Sequence, residues 1–408
     1  MHVQTSNHNI YSYLQRTNEI VPGIVEEDYV WKFDKRQMVT SMPNVNMLII
    51  GITEQCNLRC TYCCYSGIYE HNRTHSANAL QASDIDEIFD FIDKNVHKRP
   101  LRIAFYGGEP LMQYPLVQNA IDKAQDRWAD NVSFSLSTNA TLLTAEKLDW
   151  LIAHNIELYI SIDGTAEDHN RYRLYPNGKG SFEDVHRVLQ YIRTSHCAFL
   201  DKVQLMMTLV SIDRLQYIAQ LWNEDEILQH IQPAKISALA PNFARGVAKR
   251  DYDRLRETYS RMLDLYEQHP EWVVLKAFFE DCIAYWYQRP IMQADGAIPM
   301  ATCMPQNNKL YIDANKNIGV CEKMPDTIRI GSVEQGIKWD EANRVVETYY
   351  NQRICRCATC PVVRMCDLCL TAVDYTEKQW DILCHNERVY TRVHMWVFCE
   401  MAERGLIK

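Results

Sequence analysis

Short apolar runs alternate with amphipathic segments along the first half of the chain, from about residue 46 to residue 239. The apolar runs have the length of buried strands, and the segments between them repeat their apolar residues with helical spacing. Strands are predicted at residues 47–52, 103–106, 132–136, 158–162, 203–209 and 236–239, and helices at residues 84–96, 115–128, 145–154, 182–193 and 213–221. The predicted N-caps are Ser83, Thr144 and Ser181. Alternation of this kind is typical of parallel strands joined by right-handed crossovers, and six units are fewer than the eight of a closed barrel. We therefore predict an α/β fold built on a partial, TIM-like (β/α)6 barrel.

The pattern changes on both sides of this region. Residues 29–40 have the pattern of an extended segment, and two strong helical patterns cover residues 252–268 and 272–288. Beyond residue 290 cysteines and short loops replace the periodicity, as expected where metal ligation substitutes for a hydrophobic core. The predicted parts are an N-terminal extension (1–45), the barrel (46–245), a helical connector (246–300), a small cysteine-rich domain (301–390) and a C-terminal helix (391–408).

Charge and hydropathy exclude two classes of partner. The chain has 43 Lys and Arg against 52 Asp and Glu, a net charge of −9, which argues against a broad grip on a nucleic-acid backbone. No stretch reaches the ~20 apolar residues that cross a membrane, and residues 1–9 lack the charged and apolar regions of a signal peptide. We expect a cytoplasmic protein with neither nucleic acid nor membrane as a partner.

Fifteen cysteines change the picture further. In a long chain kept in a reducing compartment, they indicate metal or iron–sulfur ligation rather than disulfides. Twelve of them fall into one group at residues 56–64 and another at residues 303–384. Cys197, Cys282 and Cys399 stand alone and are interpreted as free thiols, which are common in protein interiors.

The first group contains Cys56, Cys60 and Cys63 on one loop directly after the first predicted strand. Three thiolates at these spacings can hold three irons of a cubane cluster and leave the fourth iron open for a cofactor. The alternative is structural zinc, which needs a fourth ligand in a closed tetrahedral site. Cys64 is the one nearby thiol that could be this fourth ligand, but its position next to Cys63 makes tetrahedral coordination by both sulfurs awkward.

This loop, with Tyr62 before its third cysteine, resembles the cluster-binding motif of radical S-adenosylmethionine enzymes. Gly107-Gly108-Glu109 follows the second predicted strand and is similar to that family's motif for the methionyl ammonium. The resemblance implies the cofactor S-adenosyl-L-methionine and one-electron cleavage of that cofactor. Further along the barrel it implies that the ribose and carboxylate of the cofactor contact Ser137, Asn139, Ser161 and Arg173. Arg171 competes with Arg173 for the carboxylate, and a structural role for His169 stands beside a catalytic one.

The second group resembles the SPASM extension of the same family, which houses two auxiliary four-iron clusters. With the cluster of the first group, this implies three [4Fe-4S] clusters. The ligands implied for the second auxiliary cluster are Cys357, Cys360, Cys366 and Cys384, and those for the first are Cys303, Cys321 and Cys369. The chain departs from the family pattern because residues 304–309 contain no cysteine, while Cys355 is an additional thiol. The fourth ligand of the first auxiliary cluster therefore stays open, and paired cysteines are also typical of zinc ribbons.

SPASM members mostly modify peptides, and residues 63–75 resemble maturases of cysteine-repeat precursors that install thioether bonds, as in ranthipeptide and freyrasin-type synthases. The resemblance implies a precursor peptide as substrate and an electron donor such as flavodoxin or ferredoxin. A separate leader-binding protein is a further expected partner, because residues 1–45 are short for a complete domain. The alternatives are a carbon–carbon cross-linking maturase, a formylglycine-forming sulfatase maturase with Glu322 as its base, and a non-catalytic iron–sulfur carrier. The intact positions for S-adenosylmethionine argue against a pure carrier.

Overall fold

A computed structural model describes residues 35–67, 73–238, 248–287, 305–306, 308–324, 328–357, 360–366, 368–373 and 375–407. The strands are β1 (Met47–Thr53), β2 (Leu101–Gly107), β3 (Val132–Thr138), β4 (Glu157–Ser161), β5 (Val203–Leu209), β6 (Pro233–Ala238), β7 (Lys309–Ile312), β8 (Asn317–Gly319), β9 (Arg329–Ser332) and β10 (Gly336–Ile337). The helices are α1 (Lys35–Ser41), α2 (Ala82–Asn95), α3 (Tyr114–Trp128), α4 (Ala145–Ala153), α5 (Ala166–Tyr172), α6 (Phe182–Ser195), α7 (Leu215–Glu224), α8 (Tyr252–Gln268), α9 (Val273–Tyr287), α10 (Trp339–Cys357) and α11 (Glu377–Glu403).

Strands β1 to β6 are parallel and neighbour one another in chain order, with helices in the crossovers between them. This arrangement confirms the predicted partial (β/α)6 barrel. The sheet continues past β1, because β7 pairs with it in parallel and the antiparallel strands β8 to β10 follow. A single ten-stranded sheet therefore joins the barrel to the first part of the cysteine-rich region.

The two faces of the barrel strands differ. In β2 the side chains of Leu101, Ile103 and Phe105 are fully buried, while the alternate residues Arg102 and Tyr106 are half-buried. Because alternate residues of a strand point to opposite faces, the apolar face packs under the helices and the mixed face lines the barrel interior. Strand β5 repeats this alternation. The interior face and the carboxyl ends of the strands are consequently where polar chemistry is concentrated.

Several local predictions are corrected. Residues 35–41 form helix α1, so the extended segment expected at residues 29–40 is wrong for that part, and residues 29–34 lie outside the described residues. Helix α2 begins after Gln81 instead of Ser83, because the Gln81 amide donates to the Asp84 carboxylate at 2.7 Å. Thr144 caps α4 as predicted. Ser181 precedes α6 without capping it, since its hydroxyl donates to the Arg173 carbonyl.

Helices in the second half of the chain can be compared with the predicted parts. Helix α11 starts at Glu377 and contains Cys384, so the predicted boundary at residue 390 falls within one continuous helix. The two helices expected in the connector are present as α8 and α9. No helix in the described ranges is both long and apolar enough to cross a membrane.

Candidate functional site

The loop that follows β1 brings the first three cysteines together. Cys56, Cys60 and Cys63 are half-buried. Burial raises the pKa of the Cys56 thiol to about 12, and the nearby charges of Glu109, Cys60 and Cys63 add smaller contributions in the same direction. Backbone amides point at two of the sulfurs: the Leu58 amide lies 3.4 Å from the Cys56 Sγ, and the Tyr65 amide lies 3.3 Å from the Cys63 Sγ. Such N–H groups stabilise thiolates and cluster sulfurs.

This donor set suits a cluster. Within the described part of the chain, no three Cys, His, Asp or Glu side chains converge on one point as ligands of a single ion do. A cubane has a different requirement, because each of its thiolates binds a separate iron. Three neighbouring thiols with amide donors satisfy that requirement at the carboxyl end of β1.

Gly107 and Gly108 pack the end of β2 against this loop. The Gly108 amide donates to the Thr53 carbonyl at 2.7 Å, and the Glu109 amide donates to the Gln55 carbonyl at 2.7 Å. A Cβ atom on Gly107, whose φ is +134°, would lie 2.3 Å from the Thr53 carbonyl oxygen, and one on Gly108 would lie 2.2 Å from that of Gln55. The glycine pair is therefore required by the approach of the protein's own backbone, which fixes the cysteine loop on the barrel.

The Glu109 side chain connects the ends of β2 and β3. Its carboxylate accepts from the Thr138 hydroxyl at 2.7 Å, the Asn139 amide at 2.7 Å and the Leu111 amide at 3.1 Å. Burial raises the pKa of Glu109 to about 6, against the lowering effect of these donors. Its charge also raises the pKa of Cys56, so a buried acidic group lies beside the cysteine loop.

Arg173 lies on the other side of the loop. Its Nε donates to the Asp163 Oδ2 at 2.8 Å, and its guanidinium stands 5.5 Å above the Tyr62 ring. The Tyr62 hydroxyl also donates to Asp163, whose second oxygen accepts from the Thr208 amide at 3.0 Å. The positive charge of Arg173 lowers the pKa of Cys60, which burial raises. Opposite charges thus flank the three cysteines, Glu109 by Cys56 and Arg173 by Cys60.

The other predicted residues of the barrel differ in their distance from the cysteine loop and in their burial. The Asn139 side chain lies against the cysteine loop, with its Nδ2 3.0 Å from the Asn57 Oδ1 and 3.8 Å from the Cys56 Sγ. Ser137 and Ser161 are half-buried near the carboxyl ends of β3 and β4. His169 is fully buried, with its Nε2 3.0 Å from the Ser181 hydroxyl, and burial lowers its pKa to about 3. This environment favours a structural role for His169.

Four of the C-terminal cysteines surround one cavity. The cavity is lined by Cys357 at the end of α10, by Cys360 and Cys366, and by Cys384 in α11. Burial raises the pKa of Cys366 to about 12, with the Arg353 charge opposing and the Glu387 charge reinforcing this shift. Two residues that line this cavity carry a buried donor without a hydrogen-bond partner among the described residues: the Arg353 Nη2 and the Trp380 Nε1. Four thiols and unsatisfied N–H donors form a cradle that fits an anionic iron–sulfur cluster.

The first auxiliary site is only partly described. Cys303 and the Cys355 side chain lie outside the described residues. Cys321 donates to the Glu322 carboxylate at 3.3 Å, and the Lys309 ammonium lies 2.8 Å from that carboxylate and 3.5 Å from the Cys321 Sγ. The Cys369 Sγ instead lies 3.1 Å from the Thr371 hydroxyl. The contacts within the described ranges therefore do not join Cys321 to Cys369. Lys309 holds the pKa of Glu322 below its usual value despite burial, which keeps this carboxylate ionised.

A partial parallel barrel whose first strand ends in a three-cysteine loop, flanked by opposite charges, defines an iron–sulfur protein of the α/β class. Residues 50–210, which include the second part of β1, that loop and β2 to β5, match the family model described as the Radical SAM superfamily. This part of the barrel is therefore a radical SAM domain. The family implies S-adenosylmethionine and one four-iron cluster.

Individual relatives extend this comparison. A cysteine-type anaerobic sulfatase-maturating enzyme of Clostridium novyi is 33% identical over 152 residues, which cover 35% of this chain and 39% of that enzyme. The radical SAM cyclopropyl synthase TigE of Paramaledivibacter caminithermalis is 22% identical over 414 residues, covering 91% of this chain and 80% of the relative. The solved structure of native anSMEcpe with bound AdoMet superposes with a TM-score of 0.62 at 17% identity, covering 88% of this chain and 98% of that one. The last match shows a shared fold.

Sequence reasoning missed residues whose partners are distant in sequence. Asp163 was not singled out, although its carboxylate joins Tyr62, Arg173 and Thr208. Arg353 and Trp380 were also missed, although each precedes a cysteine of the cavity by four residues within a helix. That spacing was a usable signal, because residues four apart share one helix face.

Proposed function

We propose that this protein is a radical SAM peptide maturase with three [4Fe-4S] clusters, which installs thioether bonds between cysteine sulfurs and carbon atoms of a precursor peptide. The observation that carries the proposal is the four-cysteine cavity formed by Cys357, Cys360, Cys366 and Cys384 in the same chain as the radical SAM barrel. Cross-linking removes two hydrogens, and hence two electrons, from the substrate. A chain that only cleaved its cofactor would need no further metal site.

The roles of the barrel residues follow from their charge and position. Cys56, Cys60 and Cys63 would hold the catalytic cluster, Glu109 would accept from the cofactor's ammonium, and Arg173 would bind its carboxylate. When bound, S-adenosylmethionine and the clusters supply an oxidising radical and an acceptor for the substrate's second electron. Asp163 fixes the Arg173 guanidinium at its Nε, and within the described ranges the two Nη groups stay available for a carboxylate. Asn139, Ser137 and Ser161 line the edge where the rest of the cofactor would lie.

Two alternatives share the same barrel. The resemblance to TigE, a cyclopropyl synthase by name, supports carbon–carbon bond formation, and the resemblance to the C. novyi enzyme supports formylglycine formation. For the latter, Glu322 would act as the base, and Lys309 keeps it ionised as that role requires. As further partners, we propose an electron donor such as flavodoxin or ferredoxin, which supplies electrons to the enzyme, and a separate protein that binds the leader peptide.

One experiment separates these reactions. The reconstituted enzyme is incubated anaerobically with S-adenosylmethionine, a reductant and a cysteine-repeat precursor peptide, and the products are examined by tandem mass spectrometry before and after thiol alkylation. A thioether product lacks two hydrogens and resists alkylation at the linked cysteine. A carbon–carbon product lacks two hydrogens and is still alkylated, whereas a formylglycine product has lost sulfur and reacts with a hydrazide. Absence of 5′-deoxyadenosine under all conditions would support the iron–sulfur carrier.

Replacing Arg173 with Met should weaken S-adenosylmethionine binding by ~1.5–3 kcal/mol, because a charged hydrogen bond to the cofactor is lost. The matched control is Arg171→Met, since Arg171 is half-exposed and pairs with Glu167 across one helix turn, at 3.0 Å. Equilibrium binding to the reconstituted proteins measures the difference, with iron content expected near wild type in both. Equal affinities of the two variants would show that the carboxylate is bound elsewhere.

Binding of S-adenosylmethionine should also depend on pH through Glu109. Its pKa of about 6 means that the free carboxyl becomes protonated as the pH falls through that value, and a protonated group must lose its proton to accept from the ammonium. Affinity should therefore fall below about pH 6, by up to roughly tenfold per pH unit. In Glu109→Gln the affinity should be lower and independent of pH in this window. A wild-type affinity that stays flat between about pH 5 and pH 8, with cluster content verified, contradicts this assignment.

A further inference from the structure

Two donor side chains occupy equivalent places around the four-cysteine cavity. Arg353 precedes Cys357 by four residues in α10, and Trp380 precedes Cys384 by four residues in α11. Because residues four apart lie on one face of a helix, each donor lies on the same helix face as a cysteine of the cavity. Both side chains line the cavity together with the cysteines.

Arg353 is an uncompensated buried cation. Its side chain is 2% exposed, and within the described part of the chain no carboxylate forms an ion pair with it. Its Nε lies 3.4 Å from the Cys357 Sγ, and its Nη1 donates to the Tyr349 hydroxyl at 2.8 Å and the Leu368 carbonyl at 3.3 Å. The Nη2 has no partner among the described residues. A guanidinium buried in this way destabilises the fold unless an anion compensates its charge.

Trp380 presents the same situation without the charge. Its side chain is 1% exposed, and its Nε1 has no hydrogen-bond partner among the described residues. An indole N–H is a donor only, so an acceptor must come from whatever fills the cavity. Trp222 shows the ordinary case, since its buried Nε1 donates to the Ile231 carbonyl at 3.2 Å.

We propose that Arg353 and Trp380 donate hydrogen bonds to the sulfur atoms of the cluster held by Cys357, Cys360, Cys366 and Cys384, and that together they raise its reduction potential. Sulfurs of an anionic cluster are the acceptors that both N–H groups lack, and the cluster's negative charge compensates the guanidinium. Hydrogen bonds and positive charge near the sulfurs stabilise the reduced, more negative state. The two residues thus act as positioning and tuning groups for this centre, and the inference rests on the cluster assigned to this cavity under the proposed function.

The test measures midpoint potentials in full-length protein in which Cys56, Cys60 and Cys63 are Ala, so that only auxiliary clusters contribute. The potentials come from redox titrations followed by electron paramagnetic resonance. Trp380→Phe removes one N–H and keeps a ring, Arg353→Met removes donors and charge, and Arg353→Lys restores charge alone. Trp222→Phe is the matched control. We expect one midpoint to fall in Trp380→Phe, to fall further in Arg353→Met and to recover partly in Arg353→Lys, while the other auxiliary midpoint stays unchanged as an internal reference.

The outcomes that overturn the proposal are distinct. Potentials in Trp380→Phe and Arg353→Met equal to those of the Trp222→Phe control, at full iron content, show that neither side chain reaches the cluster. If Arg353→Met takes up no second auxiliary cluster while Arg353→Lys does, the charge role is supported and the Trp380→Phe midpoint decides the hydrogen bond. Metal analysis that finds zinc in place of iron in this cavity overturns the assignment of a cluster to it. A failure of thioether formation leaves all these measurements intact, so the two proposals fail separately.

Discussion

Replacing Cys56, Cys60 and Cys63 together with Ala should abolish cleavage of S-adenosylmethionine and remove one cluster. Reconstituted wild type should hold about twelve irons as three cubanes, and the variant should hold about four fewer. The reason is that these three thiols lie together on the loop after β1, whereas the C-terminal cysteines belong to other elements. Iron and labile-sulfide analysis, with chromatographic detection of 5′-deoxyadenosine, measures both effects.

Cys197→Ala is the control for this experiment, because Cys197 is an exposed thiol distant in sequence from both cysteine groups. It should keep full iron content and full cofactor cleavage. A triple variant that retains wild-type iron and sulfide would disprove the assignment of the N-terminal loop. Wild-type protein that binds zinc and no labile sulfide would disprove all three clusters.

Gly108→Ala should disrupt the same site without touching a ligand. The added Cβ would lie 2.2 Å from the Gln55 carbonyl oxygen and 2.7 Å from its carbon, and backbone atoms cannot move aside as a flexible side chain does. The loop must therefore shift away from β2, and overpacking of this kind costs ~1–3 kcal/mol or more. Because Gln55 adjoins Cys56, we expect loss of the N-terminal cluster, loss of S-adenosylmethionine binding and a lower unfolding temperature.

Gly178→Ala supplies the comparison. Gly178 has a φ of +82° and no atom within 4 Å of its Cβ position, so alanine there pays only backbone strain of roughly 1–2 kcal/mol. Both variants should be less stable, but only Gly108→Ala should lose iron. If Gly108→Ala retained wild-type cluster content and cofactor affinity, the tight packing between Gly108 and the cysteine loop would have no bearing on the site.

The strands of the barrel were predictable from the sequence where a continuous apolar run of strand length is present. Strand β1, predicted at residues 47–52, was found at Met47–Thr53, because its run of apolar residues is buried from residue 48 onward. Strand β6 begins three residues before its predicted start, since several of its residues are exposed and Pro233 carries no strand signal. Helix α1 was missed because residues 35–41 carry only a weak amphipathic pattern, and contacts made elsewhere decide such segments.

The site was predictable to the extent that its chemistry is local in sequence. The spacing of Cys56, Cys60 and Cys63 predicts a metal-binding loop by itself, whereas the contact between Gly108 and Gln55 exists only after two strands pair. Glu109 illustrates the limit. Its position in the Gly-Gly-Glu motif predicted a contact with the cofactor. The three hydrogen bonds that its carboxylate accepts within the protein depend on how the ends of β2 and β3 are placed. Contacts of this kind between residues distant in sequence cannot be predicted from the type of any single residue.

The pairing of β7 with β1 has a consequence for the order in which this protein acquires its native state. On the ribosome β1 emerges early, but its outer neighbour β7 is translated only after the six barrel strands. Until then β1 is a bare edge next to the cysteine loop, open to pairing with strands of other nascent chains. A chain truncated after β6 would keep that edge permanently and should be prone to aggregate. The C-terminal region therefore shields the strand that leads into the loop of Cys56, Cys60 and Cys63, in addition to any redox role.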